Sequence, residues 1–503
     1  MGWCYMAEML TMPPRRIIMN LRFILWETLP NDKYYITEHQ YIEKGFHTIS
    51  FQRDNNYRLI CKLEGQEGLQ SLDAFPGNDL KAGQFIDFCG VIHAQDRMNH
   101  YKVEIDNLFI TNKNIDSDGL YTAEGKVNNL KIYYKTDEKP EHIIYWFLNG
   151  EKYPNFAYSR TTIIKSICEA VIEISGFSKN KIKGDKSSSF SRNSILLTLN
   201  GKQFVFGFVS EKDTQNFPGS YMRFNKDFFP TKGELKTIQY ALSFIIGKIL
   251  IPIGFTKYNG SFSPLERVYK SSHRHDMDHV ISVAGKPPIP INMGTVMVSK
   301  ENLEGKISCL LSKYHEYRSI FQLDQIVWYI NLSRLLPLDT QLQPLSTALD
   351  IFQKAWFQSE KSTSKGKHLK DDSYDKIISK YIKNIKIDLG EKETTNSILN
   401  KIKASNNMGD NERYKTLFKE IKLDLAEVEE ISIKERNKAI HGSLKPKNYQ
   451  KISNRTNAYY SLLNRLILKL LEYDGIYIDY STYGFPSRNI NEPLRGPEND
   501  GKI

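Results

Sequence analysis

The sequence predicts an α+β multidomain chain, with a β-rich N-terminal part, sandwich- or barrel-like, followed by an all-α helical bundle. Three observations carry this. Apolar residues alternate with period two through much of residues 1–303 and recur at spacings of three and four after Leu303. Glycine falls from 21 in residues 1–303 to six in residues 304–475, as expected when turns give way to helices. Strand-type runs in the first part are joined by turn residues, whereas the second part offers long stripes with few breaks.

The elements follow in order. "YRLICKLEG" sets Tyr57, Leu59, Cys61 and Leu63 on one strand face, and "YKVEI" does the same with Tyr101, Val103 and Ile105. "SILLTLNGKQFVFGFV" places Asn200-Gly201 between two strand-like runs, the dipeptide that a two-residue hairpin turn favours. The polar stretch 178–194 reads as a flexible loop or inter-domain linker. Beyond Leu303, Ile320, Leu323, Val327 and Ile330 form a helical stripe stopped by Pro337, and Leu342, Leu345, Leu349, Phe352 and Trp356 form a second. Ile377, Ile378, Tyr381, Ile382 and Ile385 mark a third helix, and Tyr414, Leu417, Phe418 and Ile421 a fourth. The last, with Tyr459, Leu462, Leu463, Leu466, Ile467 and Leu470, stops at Asp474-Gly475. The expected division is 1–165 and 166–303 as β-rich and mixed subdomains, 304–475 as the bundle, and 476–503 as a C-terminal tail.

At 503 residues the chain is long enough for two or three cores. A formal net charge of +11 points toward a polyanionic partner, although solvated lysine faces give the same number. One local excess stands out: residues 361–403 hold eleven lysines against six acids, which reads as a solvated face or as one turned toward RNA. The five cysteines are scattered with no CxxC pair, which argues against a disulfide framework and for a reducing, cytoplasmic setting. The longest apolar run, "YALSFIIGKILIPIGF" from Tyr240, is broken by Lys248 and Pro252 and is too short to cross a membrane. No phosphate loop, dinucleotide fingerprint, HExxH or GxSxG occurs.

The chemistry-bearing segment is "SIKERNKAIHGSLKP", residues 432–446. It reads as the end of a helix that Asp424 caps, with Glu427 three residues on, acids in its first turns, cations near its end and Gly442 in the closing position. The free carbonyls at such an end favour a charged imidazole at His441, and Asn437 sits one turn before it on the same face. Arg436 lies one residue away, within reach of its long side chain. An imidazole that titrates near neutrality can move protons, and a guanidinium can stabilise charge developing on a phosphorane. Together they suit cleavage of RNA by its own 2′-hydroxyl, with no metal. A symmetric dimer would supply the second histidine that a base and an acid on opposite sides of phosphorus require.

"RNKAIHG" resembles the signature of HEPN domains, helical bundles that commonly dimerise and act as metal-independent endoribonucleases in toxin and anti-phage systems. The resemblance covers residues 305–475. The layout also resembles ApeA-like abortive-infection proteins, through "YALSFIIGKILIPIGF", "LSTALDIFQKAW" and "LLEYDGIYIDYSTYG". It implies catalytic roles for Arg436 and His441, an orienting role for Asn437, a homodimer, host RNA as substrate, no cofactor, no membrane, and a β-rich region that either senses an infection signal such as a phage-derived trigger or restrains the effector. Asp350 stands where the family pattern has a glutamate, so a supporting role does not carry over.

Two other readings compete. The bundle could serve as a non-catalytic RNA-binding or dimerisation module. Alternatively, "SSHRHDMDHV" could hold zinc or manganese through His273, His275 and His279, with Asp276 and Asp278 near, as a metal-dependent hydrolase would. The looser pattern of Arg, a few residues, then His also occurs at Arg267 to His273 and Arg274 to His279, but only 436–441 falls on a credible helix.

Overall fold

The computed structural model describes residues 26–38 (except 28 and 31), 46–65, 91–115, 120–151, 156, 161–165, 170–174, 180–182, 188–191, 193–209, 218–272, 280, 283–291, 303–390, 393–440 and 449–497; at 113 and 115 and in 161–191 and 436–440 it describes backbone alone. Two units emerge. The first comprises residues 1–230, 250–282 and 302–304, and the second residues 231–249, 283–301 and 305–503.

The first unit is built on antiparallel strands. β1 (Tyr34–Glu38), β2 (Phe46–Arg53), β3 (Leu59–Gly65), β4 (Ile92–Gln95), β5 (Tyr101–Ile115) and β6 (Tyr121–Tyr134) close on themselves in the order β1-β2-β3-β6-β5-β4. This is a six-stranded barrel, so the expected barrel-like region is present. Its interior follows the period-two pattern: Leu59, Cys61 and Leu63, and Val103 and Ile105, are fully buried. Gly125 makes the close approach possible, since a Cβ there would meet Leu108 Cδ1 at 2.7 Å and the Phe109 carbonyl oxygen at 2.9 Å.

The far end of β6 carries a second set of strands. β16 (Pro264–Lys270) pairs with Asn129–Tyr133 of β6 and begins the order β16-β15-β7-β14-β13-β12. These are β15 (Ile251–Tyr258), β7 (His142–Leu148), β14 (Gly219–Asn225), β13 (Lys202–Val209) and β12 (Ser194–Leu199). The Asn200-Gly201 hairpin forms as expected, with both residues at positive φ (51° and 79°) and Leu199 opposite Lys202. Residue 165 is not a break in this architecture, because β7 before it lies between β14 and β15 after it. The expected loop or linker at 178–194 instead contains β10 (Asn180–Ile182) and β11 (Ser188–Ser191). These join β8 (Thr161–Lys165) and β9 (Ala170–Ile174) in a four-stranded sheet of order β10-β9-β8-β11. Alternation in "SKNKI" and "SSFSR" is carried by polar residues, so a hydropathy pattern does not register it.

The second unit is helical. It contains α1 (Lys232–Ile246), α2 (Leu303–Tyr317, from Gly305 onward), α3 (Leu323–Ser333), α4 (Leu342–Gln358), α5 (Asp371–Leu389), α6 (Glu393–Ala404), α7 (Asp410–Glu420), α8 (Glu427–Ile440) and α9 (Tyr449–Leu470). α1 opens the long apolar run. Thr231 and Glu234 form a reciprocal cap (2.8 and 3.2 Å), and Gly247 closes the helix at φ +64° before the chain turns into β15. No helix among the described residues is long and apolar enough to cross a membrane.

α4 is the centre of the bundle. Leu342, Leu345, Leu349 and Phe352 are at most 1% exposed, and α3, α7, α8 and α9 pack around it. α9 buries all six of its expected stripe residues. Two stripes differ from expectation. Ile320 is exposed and precedes α3, because Gln322 takes a left-handed backbone (φ 52°) that separates α2 from α3. In α5 only Ile378 is buried, while Ile377 and Tyr381 face solvent. Residues 476–497 are not a loose tail either. β17 (Ile476–Ile478) and β18 (Ser487–Asn489) pair, Tyr477 and Asp479 are fully buried, and Arg488 Nε donates to Asp479 at 2.7 Å.

Candidate active site

α8 is the helix that carries the Arg-Asn motif. It starts two residues later than the sequence suggests: the Ala426 N–H, rather than Asp424, takes the capping contact, donating to the Glu429 carboxylate at 2.7 Å. The Asp424 carbonyl accepts instead from Arg465 at 3.3 Å. Acids at Glu427, Glu429 and Glu430 complement the positive end of the helix.

One face of α8 is inside the bundle. Val428, Glu429, Ser432 and Ile433 are all at most 9% exposed, and the helix packs on α4 and α9. Helical periodicity carries this stripe onward: position 436 follows Glu429 and Ser432 at seven and four residues, and position 437 follows Ile433 at four.

Glu429 and Arg465 of α9 form an ion pair in which both side chains are fully buried. Burial pushes the Glu429 carboxyl above its usual range, while the Arg465 guanidinium and the backbone N–H groups of Ala426 and Leu494 pull the other way. Arg465 also lies over the Tyr477 ring at 5.3 Å, which ties α9 to the β17–β18 hairpin. Further along, Glu435 meets Arg455 Nε at 3.4 Å and Lys451 Nζ at 3.7 Å on α9. Arg455 is 5% exposed. Two acids six residues apart thus fix the roll of α8 against α9 directly before Arg436.

Arg436 and Asn437 are on α8, of which residues 436–440 are described as backbone. His441 and Gly442, with the expected helix-closing position, lie outside the described residues, as do His273, His275 and His279 with Asp276 and Asp278. Among the described residues no group of His, Cys, Asp and Glu could hold a metal ion. Asp350 is exposed on α4 and accepts a hydrogen bond from the Tyr414 hydroxyl of α7, so it joins α4 to α7.

The sequence reading missed Glu429, Arg465, Glu435 and Arg455. A signal was available: Glu429 and Arg465 each fall on the apolar stripe of their own helix, where a charge requires a partner.

No protein-family model, curated protein or solved structure matches the chain.

Proposed function

We infer that the helical unit is a metal-independent endoribonuclease of HEPN type, acting as an anti-phage abortive-infection effector on host RNA, with Arg436 and His441 as its catalytic pair. The observation that carries this reading is the Arg-Asn-x-x-x-His motif, whose first two residues lie on α8, a helix of a bundle centred on α4. The HEPN resemblance supplies the roles. The bundle architecture supports it, and so does the rigid attachment of α8 to α9 through Glu429–Arg465 and Glu435–Arg455, because a catalytic constellation needs ligating side chains held in register.

The reaction is a transesterification. The 2′-oxygen bonds to phosphorus, the bond from phosphorus to the 5′-oxygen breaks, and a proton passes from the 2′-hydroxyl to the departing oxygen. His441 moves a proton, Arg436 stabilises the phosphorane oxygens, and Asn437 orients the pair. A homodimer brings two such helix ends together, and the barrel-bearing unit senses the trigger or restrains the effector.

The test is a gel assay of purified protein with total cellular RNA in EDTA, beside His441→Ala. Cleavage in EDTA that the variant loses is the expected result. Cleavage that EDTA stops and the variant retains moves the chemistry to His273, His275 and His279, and an uncut RNA that still binds leaves the bundle as a binding module.

A further inference from the structure

α5 and α6 form a helical hairpin that is tied down at its base and open above it. At the base, His368 N–H donates to the Asn406 carbonyl (2.9 Å), and Leu369 and the buried Asn406 side chain exchange two hydrogen bonds of 3.0 Å. The Tyr374 hydroxyl donates to the Ile402 carbonyl at 2.5 Å. Beyond these contacts the hairpin buries little, with Ile378, Thr395 and Leu399 as its inward residues.

The outward face of α5 is ordered by charge. Lys376, Lys380 and Lys383 fall at i, i+4 and i+7, opposite Ile378, and all are exposed. None of their ammonium groups makes an ion pair or hydrogen bond with another residue among those described. Beside this row runs a second, with Ile377 55% and Tyr381 59% exposed and Asn384 next to them. A rise of ~1.5 Å per residue sets the lysine positions ~6 and ~4.5 Å apart along the axis, the order of spacing of successive phosphates.

A cationic row next to an exposed ring is the combination that single-stranded nucleic acid uses, with phosphates on the lysines and a base on the aromatic face. Pairing with a second copy of the hairpin would set lysine against lysine. We propose that the α5–α6 hairpin is a gripping arm for single-stranded RNA, with Lys376, Lys380 and Lys383 along the backbone and Tyr381 under a base. This deepens the reading above and rests on the chain acting on RNA; it concerns binding, not the cutting residues.

The experiment is fluorescence anisotropy of a labelled single-stranded RNA with the full chain carrying His441→Ala, across a salt series. With Lys376, Lys380 and Lys383 all changed to Gln, affinity falls and the slope of log K against log salt becomes shallower by about 2. Tyr381→Ala lowers affinity about tenfold with the slope unchanged. Circular dichroism melts of both variants match the parent. Parental affinity and slope in the lysine variant overturn the arm whether or not the protein cuts RNA. Loss of binding in a protein that cuts nothing keeps the arm and removes the nuclease. Binding of polyglutamate as tightly as RNA, indifferent to Tyr381, assigns the face to an acidic protein instead and overturns the proposal. So does a dimer that Tyr381→Asp separates with RNA affinity unchanged.

Discussion

α8–α9 and α5–α6 are two helical pairs of one unit that treat charge in opposite ways. In the first pair Arg465 and Arg455, both at most 5% exposed, are answered by Glu429 and Glu435, and the contacts fix one helix against the other. In the second, Lys376, Lys380 and Lys383 line the solvent face with no ion pair among the described residues, and the pair is held by hydrogen bonds at its base. A buried cation must bring its acid with it, because an uncompensated charge in the interior costs several kcal/mol. An exposed one keeps its hydration and stays available. The first arrangement holds α8 against α9 beside Arg436; the second leaves its charge open to solvent.

The contrast can be broken most strongly at Arg465. Arg465→Ala leaves Glu429 buried without its partner and should cost about 3–5 kcal/mol in chemical unfolding. The matching test on the arm, Lys380→Glu, should change stability by less than about 0.5 kcal/mol in the same measurement. An equal loss in both would erase the distinction.

A smaller effect is expected at Glu420. Burial would raise its carboxyl, but the Trp356 indole, the Ser364 N–H and the Thr363 hydroxyl outweigh that and bring it down to about 2. A depressed carboxylate contributes stability above its usual value of 4.5 and loses it as pH falls toward about 2. Glu420→Gln should therefore be less stable than the parent at neutral pH, and the gap should close between pH 4.5 and 2 in thermal melts.

Lys286 sharpens the comparison from the opposite side. It is a half-buried cation with no acidic partner among the described residues, between the rings of Tyr460 and Tyr480 and bonded to Asn457 Oδ1 at 2.7 Å. Burial, with Arg334 nearby, pushes its amine down to about 8. Below that pH the folded state carries the full cost of the charge. As pH rises from about 8 to 10.5 the unfolded chain holds more protons, so folding stability rises. Lys286→Met should remove that rise; a variant that keeps it would place the titration elsewhere.

Much of the fold was legible in the sequence because burial and periodicity coincide in α4, α7, α9 and the barrel strands. Leu345, Leu417, Leu466 and Leu63 show this, all of them fully buried. It was less legible where they part. Ile377 and Tyr381 are apolar at helical spacing yet exposed, since α5 packs mainly on α6 rather than on α4 at the bundle centre. The β10 and β11 strands and the packed β17–β18 hairpin depend on pairing between distant or polar segments, which no local pattern encodes. At the candidate site, the motif and its helix were readable from residues 427–440. The acids that orient the helix were not, because their partners lie on α9, 36 residues away for Glu429 and Arg465.

The central claim is that the 2′-hydroxyl of RNA is the nucleophile and that no metal takes part. The most direct measurement is to incubate the protein in EDTA with an RNA strand and with the same strand in 2′-deoxy form, then analyse the ends of the products. The account predicts that only the RNA is cut, leaving 2′,3′-cyclic phosphate and 5′-hydroxyl ends. Cleavage of the deoxy strand, or 5′-phosphate ends on the RNA, would contradict it.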